Sequence, residues 1–201
     1  MIPVTASLLW ALVIFCFVSS ITPGPNNLML MTSGVNFGVR RTLPHMFGIA
    51  LGFTLMVVLV GLGLAGLFAR VPSLLVGMKW VGAAYMVYLA AKLAMAAPLK
   101  PGGTAGDPMT FLQAAAFQWI NPKAWIMALT GVATYTDPGD YARTVLVVAL
   151  VFGIVNLPCI ACWALFGTAL RHALQRPGVL RAFNWTMGAL LIASLYPVFT
   201  E

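Results

Sequence analysis

The chain is short of charge, and shortest of acidic charge. Four acidic residues, Asp107, Asp137, Asp140 and Glu201, stand against 11 basic ones in 201 residues. Charged residues amount to 7% of the chain, where a soluble domain carries about 25%. So few charges cannot wet the surface of a whole globule, which excludes an ordinary cytosolic enzyme. No acid falls inside an apolar run, so no carboxylate pair is available for acid–base work. Two histidines, His45 and His172, and three cysteines, Cys16, Cys159 and Cys162, are the other scarce residues. All three cysteines lie within apolar runs, where a free thiol behaves as a small hydrophobe, and no disulfide framework is implied. Cys159-Ile160-Ala161-Cys162 has C-x-x-C spacing, but no second Cys or His pair accompanies it, as a zinc site would need. No Ser-His-Asp set, phosphate loop or H-E-x-x-H occurs, so the chain reads as a non-enzyme with neither cofactor nor metal site. The net charge of +7 is dispersed in ones, twos and threes, not gathered into the patch that nucleic-acid binding requires.

Apolar sequence fills the rest: 61% of residues are hydrophobic and the mean hydropathy is +0.96. The runs are too long for barrel strands, and disorder needs low hydrophobicity. The fold class is therefore all-α polytopic membrane protein, in contact with lipid. A spanning helix takes about 20 apolar residues, and turn residues and charges divide the chain into six such segments, at about 4–33, 44–68, 73–95, 110–134, 144–169 and 180–199. The first run lacks a basic leader and a cleavage pattern, so it reads as a retained helix and not a signal peptide. Pro98 to Pro108 is the clearest loop. Positive charge orients the bundle. Loops one-two, three-four and five-six hold Arg40, Arg41, Lys92, Lys100, Arg171, Arg176 and Arg181, against Arg70, Lys79 and Arg143 opposite. That bias puts those loops in the cytoplasm and both termini in the periplasm.

An internal repeat emerges from the order of small motifs. Phe47-Gly48-Ile49 returns as Phe152-Gly153-Ile154, and Gly82-Ala83-Ala84 has its counterpart in Gly188-Ala189-Leu190. The Pro-rich interruption of segment one corresponds to Asn121-Pro122-Lys123 in segment four. Chance similarity among Gly- and Ala-rich helices is the bland alternative. With three helices per half, a repeat must be inverted, giving residues 1–97 and 110–201 as two three-helix halves joined by a cytoplasmic loop at 98–109. Inverted halves with breaks at matching positions mark the midplane binding site of a secondary transporter.

Each break has its own chemistry. Pro23 and Pro25 lack N–H groups, which frees the carbonyls of Ser19 and Ile21. Gly24 permits close approach, and Asn26 or Asn27 is placed to cap a resumed half-helix whose N-terminus attracts an anion. A plain proline kink is the alternative. In the second break Pro122 frees the carbonyl of Gln118, and Lys123 brings an ammonium near the middle of a span, at a cost of about 2.5–3.5 kcal/mol. No acid in the apolar runs can pair with it. Its partners are then freed carbonyls, amide oxygens, water or a bound anion, unless the side chain snorkels to the interface. Lys79 either lines the same cavity or anchors the interface. Asn156 and Gln118 are further amides that line the cavity or hold helices together, and His45, beside Pro44, reads as interfacial. The candidate binding residues are Pro23, Gly24, Pro25, Asn26, Asn27, Lys79, Asn121, Pro122 and Lys123.

At these residues the sequence resembles the LysE/RhtB family of amino-acid exporters. The resemblance rests on Thr22-Pro-Gly-Pro25, Gly48 and Gly52, Lys79-Trp-Val-Gly82-Ala-Ala-Tyr85-Met-Val-Tyr88-Leu89, and Phe111 leading to Asn121-Pro122-Lys123, and it covers nearly the whole chain. Ala114 to Ala116 replace a glycine usual in the family. The resemblance implies a bacterial inner-membrane exporter of amino acids or related metabolites, driven by an ion gradient. The lack of an embedded carboxylate favours neutral substrates. A metal or inorganic-cation exporter of similar architecture is the alternative, with few acids to support it. Small-residue faces would permit a homodimer.

Overall fold

The computed structural model describes residues 6–64, 66, 70–95, 107–174 and 176–196. Lys100 and most of the 98–109 loop lie outside these residues, as does the side chain of His172. Among the described residues the regular structure is helical: α1 (Ala6–Ile21), α2 (Pro25–Phe37), α3 (Val39–Leu59), α4 (Pro72–Ala94), α5 (Phe111–Phe117), α6 (Pro122–Tyr135), α7 (Tyr141–Ala173) and α8 (Pro177–Ala193).

Proline and glycine set the punctuation. Pro25, Pro72, Pro122 and Pro177 each open a helix, where the missing N–H leaves no bond unmade. Gly38 separates α2 from α3 with φ 76°, a left-handed conformation that suits only glycine well. A π-helical turn, Val60–Leu64, extends α3 and ends around Gly63 at φ 108°. Thr110 and Gln113 form a reciprocal capping box at the start of α5, satisfying two donors at once.

Among the described residues two helices are long and apolar enough to cross a membrane, Val39–Leu64 and Pro138–Arg171. A third crossing is formed if α1 and α2, bent by 55° at their break, count as one broken span. The two breaks fall where the prolines lie: α1 stops at Ile21 and α2 restarts at Pro25, while α5 tightens into a 3₁₀ turn at Gln118–Ile120 before α6 restarts at Pro122. Among the described residues large apolar side chains lie outside as well as in the core, and several polar ones lie within. Leu51, Leu55, Leu62, Leu150 and Ile154 are exposed, whereas Asn27, Gln118, Asn121, Asn156 and Asn184 are buried. His45, read from the sequence as interfacial, is instead buried at 1% exposure. It sits inside α3 one residue after Pro44, so its ring turns into the bundle.

Close packing depends on glycine. A Cβ on Gly34 would run into the Ala164 carbonyl, and one on Gly167 into the Met31 carbonyl, so α2 and α7 approach backbone to backbone. Gly48 and Gly52 do the same for α3 against Ala114 and Ala115 of α5. Such contacts replace the hydrophobic driving force that is missing between helices in lipid. Apolar clusters lie on either side of the breaks: Leu12, Cys16, Met56, Ala128 and Phe152 join α1, α3, α6 and α7, and Leu28, Met86, Phe117 and Leu191 join α2, α4, α5 and α8. The breaks meet between these clusters.

Candidate functional site

Lys123 stands in the first turn of α6, two residues after the N-cap. Asn121 caps that helix by accepting the Lys123 N–H at its own Oδ1, 3.2 Å away. The side chain then crosses to the first break, where Nζ donates to the Thr22 carbonyl at 2.7 Å, the Thr22 hydroxyl at 2.9 Å and the Pro23 carbonyl at 3.2 Å. The ammonium thereby satisfies carbonyls at the C-terminal, negative end of α1. Gly24 makes the crossing feasible, since a Cβ there would lie 2.7 Å from Lys123 Cδ. Its φ of −179° is extended backbone open to any residue; what the position needs is the absence of a side chain.

Of the partners expected for Lys123, which are freed carbonyls, amide oxygens, water or a bound anion, break carbonyls serve together with the Thr22 hydroxyl, but not the carbonyls that the prolines free. Ser19 O takes the Thr22 hydroxyl at 3.1 Å and Ile21 O takes the Trp163 indole N–H at 3.0 Å. Gln118 O is retained by the Asn121 N–H at 3.3 Å. Capping also differs from expectation. Gly24, not an asparagine, occupies the N-cap of α2, and no side chain caps that helix. Asn27 instead turns back to the carbonyls of Ser20 and Thr22, both at 2.8 Å. Asn26 pairs with Gln118 across the two breaks: Asn26 Nδ2 donates to Gln118 Oε1 at 2.8 Å, and Gln118 Nε2 donates to Asn26 Oδ1 at 3.3 Å. The first intrahelical bond of α2 runs from the Leu28 N–H to the Gly24 carbonyl at 3.0 Å, so the N–H groups of Asn26 and Asn27 precede the ladder, at the positive end of the helix.

Two cavities adjoin this crossing. One, of about 770 Å³, is lined largely by apolar residues such as Phe15, Met78, Trp119, Trp125 and Ile126 and reaches Pro23, Gly24, Pro25, Lys79, Pro122 and Lys123. The other, of about 30 Å³, is lined by amides, including Asn26, Asn27, Gln118, Asn121 and Asn156. Ser19, Gly24, Lys123 and Met127 border both. All nine residues singled out in the sequence thus line one cavity or the other. Lys79 lines only the apolar one.

Three contributors were not among the candidate binding residues, although Thr22 belongs to the Thr22-Pro-Gly-Pro25 motif. Ser20 accepts Asn156 Nδ2 on its hydroxyl at 3.2 Å, Trp163 holds the Ile21 carbonyl, and Thr22 supplies both a carbonyl and a hydroxyl to Lys123. Asn156, Ile160 and Trp163 follow i, i+4, i+7 spacing on α7, one helical face, and that periodic placement of an amide and an indole was the available signal. Among the described residues no three His, Cys, Asp or Glu side chains gather into a metal-binding group. Cys16 and Cys159 are buried free thiols and Cys162 is an exposed one.

The family pattern described as LysE type translocator matches residues 17–194. A "Cysteine/O-acetylserine efflux protein" of Escherichia coli strain K12 is 30% identical over 197 residues, covering 97% of this chain and 99% of its own length. A protein of the same name from Shigella flexneri serotype 5b is 29% identical over 201 residues, covering 99% of this chain and all of its own. No solved structure matches the chain.

Proposed function

The chain belongs to the LysE type translocator family, a transporter and not an enzyme, and from that membership and the meeting of the two breaks we propose that it exports amino acids with neutral side chains across the bacterial inner membrane. The observation that carries this reading is the Lys123 ammonium lying on the Thr22 and Pro23 carbonyls, beside a helix N-terminus that no side chain caps. A substrate carboxylate placed there meets the ammonium and the N–H groups of Asn26 and Asn27, two sources of positive potential converging on one point. The break carbonyls serve the ammonium as acceptors. Binding then exchanges those contacts for charge-assisted ones, which loosens the tie between α1 and α6. Differential contact of this kind lets a ligand shift a conformational equilibrium.

The proposed path is alternating access, powered by an ion gradient, with two inverted halves rocking about the site. The six spans would be α1 with α2, α3, α4, α5 with α6, α7, and α8, with both termini periplasmic as the positive loops require. Two features support the inversion. Each half carries its break in its first span, and the piece before each break packs on the second helix of the opposite half: α1 on α7, and α5 on α3. Neutral substrates are favoured because none of the residues lining either cavity is acidic, which leaves a cationic side chain without a partner. The names of the relatives put cysteine and O-acetylserine first among the candidates.

Efflux from cells preloaded with a panel of labelled amino acids tests the reading. Expression of the chain should accelerate loss of one or more neutral members. Efflux unchanged across the whole panel would remove amino acids as cargo.

A further inference from the structure

Within the small amide-lined cavity one acceptor stands out. Asn156 is 5% exposed; its Nδ2 donates to the Ser20 hydroxyl, but its Oδ1 has no hydrogen-bond partner. Buried acceptors are rarely left this way, because their lost hydration is not recovered. The neighbouring polar groups do not share the vacancy. Asn26 and Gln118 bond to each other, Asn27 donates to two carbonyls, and Asn121 Oδ1 holds a backbone N–H. Of the break carbonyls that might receive a substrate amine, that of Ile21 already accepts Trp163 and that of Thr22 accepts Asn27 as well as Lys123.

From this we infer that Asn156 accepts the α-ammonium group of the substrate, so that the site selects free α-amino acids over analogues whose amino group is acylated or missing. The inference rests on the exporter reading above and deepens it. A cavity of about 30 Å³ holds a group the size of one water, hence an ammonium head and not a whole amino acid. The rest of the ligand has somewhere to go, because Gly24 and Lys123 border both cavities. With its carboxylate on Lys123, a zwitterion would put its ammonium among the amides and its side chain in the apolar cavity of about 770 Å³. The carboxylate then separates the two ammonium charges. An uncharged side chain fits the apolar lining.

The test uses the purified full-length protein in detergent, with dissociation constants taken from ligand-dependent thermal stabilisation, which needs no turnover. The probes are cysteine, N-acetylcysteine and 3-mercaptopropionate, which keep the carboxylate and thiol while altering or removing the amine. Wild type should prefer cysteine over both analogues by about tenfold or more, and Asn156→Leu should bring cysteine and 3-mercaptopropionate within about twofold of each other. Asn156→Asp should raise the cysteine preference above wild type, which keeps the inference decidable should the leucine variant fold poorly. A cysteine preference that survives in Asn156→Leu, or does not rise in Asn156→Asp, would overturn the role of Asn156 and leave the exporter standing. Wild type that binds none of the three, together with no efflux across the panel, would remove both.

Discussion

Lys123 and Gly24 act as a pair, and neither makes sense without the other. The lysine needs acceptors for its ammonium, and the glycine gives it the room to reach them. Gly24→Ala should therefore impair transport by about tenfold or more without disturbing insertion, since the added methyl would sit 2.7 Å from Lys123 Cδ while the extended backbone carries no strain. Efflux assayed at matched membrane levels checks this; transport at the wild-type rate would show that the lysine reaches its partners by another path. Gln118 is a different case. It is fully buried and bonds both Asn26 and the Ala114 carbonyl. Gln118→Leu leaves the Asn26 amide unpaired and should cost about 1–3 kcal/mol, read as a lower melting temperature in detergent. Isosteric loss of an amide without any such drop would mean that Asn26 finds water instead.

At the scale of elements, glycine contacts decide which helices approach and proline decides where they stop. Gly167 faces the Met31 carbonyl, while Gly77 of α4 has open space where its Cβ would be. Gly167→Ala should destabilise by about 1–3 kcal/mol through overpacking, and Gly77→Ala should stabilise by about 0.5–1 kcal/mol through helix propensity. Thermal unfolding of the two variants side by side measures the contrast, and equal shifts would contradict the packing account. The same two residue types explain what the sequence disclosed. Pro23, Pro25 and Pro122 placed both breaks within a residue or two of where α1, α2 and α6 end and begin, because a missing N–H is a local fact. Lys123 could be matched to carbonyls of the other break because no acid was available in the apolar runs. Which carbonyls serve was not legible. Trp163 and Asn27 claim theirs from positions whose reach depends on the 55° bend between α1 and α2. His45 went wrong for a related reason: proximity to Pro44 suggested an edge, but the helix continues through that proline, and the far side of α3 is interior.

Over the described residues leucine and isoleucine cover the outside as well as filling the core, and five asparagine and glutamine amides are buried. A buried polar seam in an apolar shell is tolerated only where its members bond one another or a ligand. Here Asn27, Gln118, Asn121 and Asn156 line the small cavity where the two breaks meet, the place about which inverted halves would move. The proposed topology has both termini in the periplasm and the 98–109 loop in the cytoplasm. Reporter fusions at residue 103 and at each terminus should report those sides, and a cytoplasmic C-terminus would break the six-span assignment. The most direct test of the central claim, that Lys123 is the substrate-carboxylate anchor between the breaks, is counterflow of labelled cysteine into proteoliposomes that contain equal amounts of folded wild type or Lys123→Ala. The account predicts uptake by wild type and a loss of about a hundredfold or more in the variant, whose melting temperature stays near that of wild type. Counterflow by Lys123→Ala at the wild-type rate would contradict it and leave the lysine as a structural strut across the breaks.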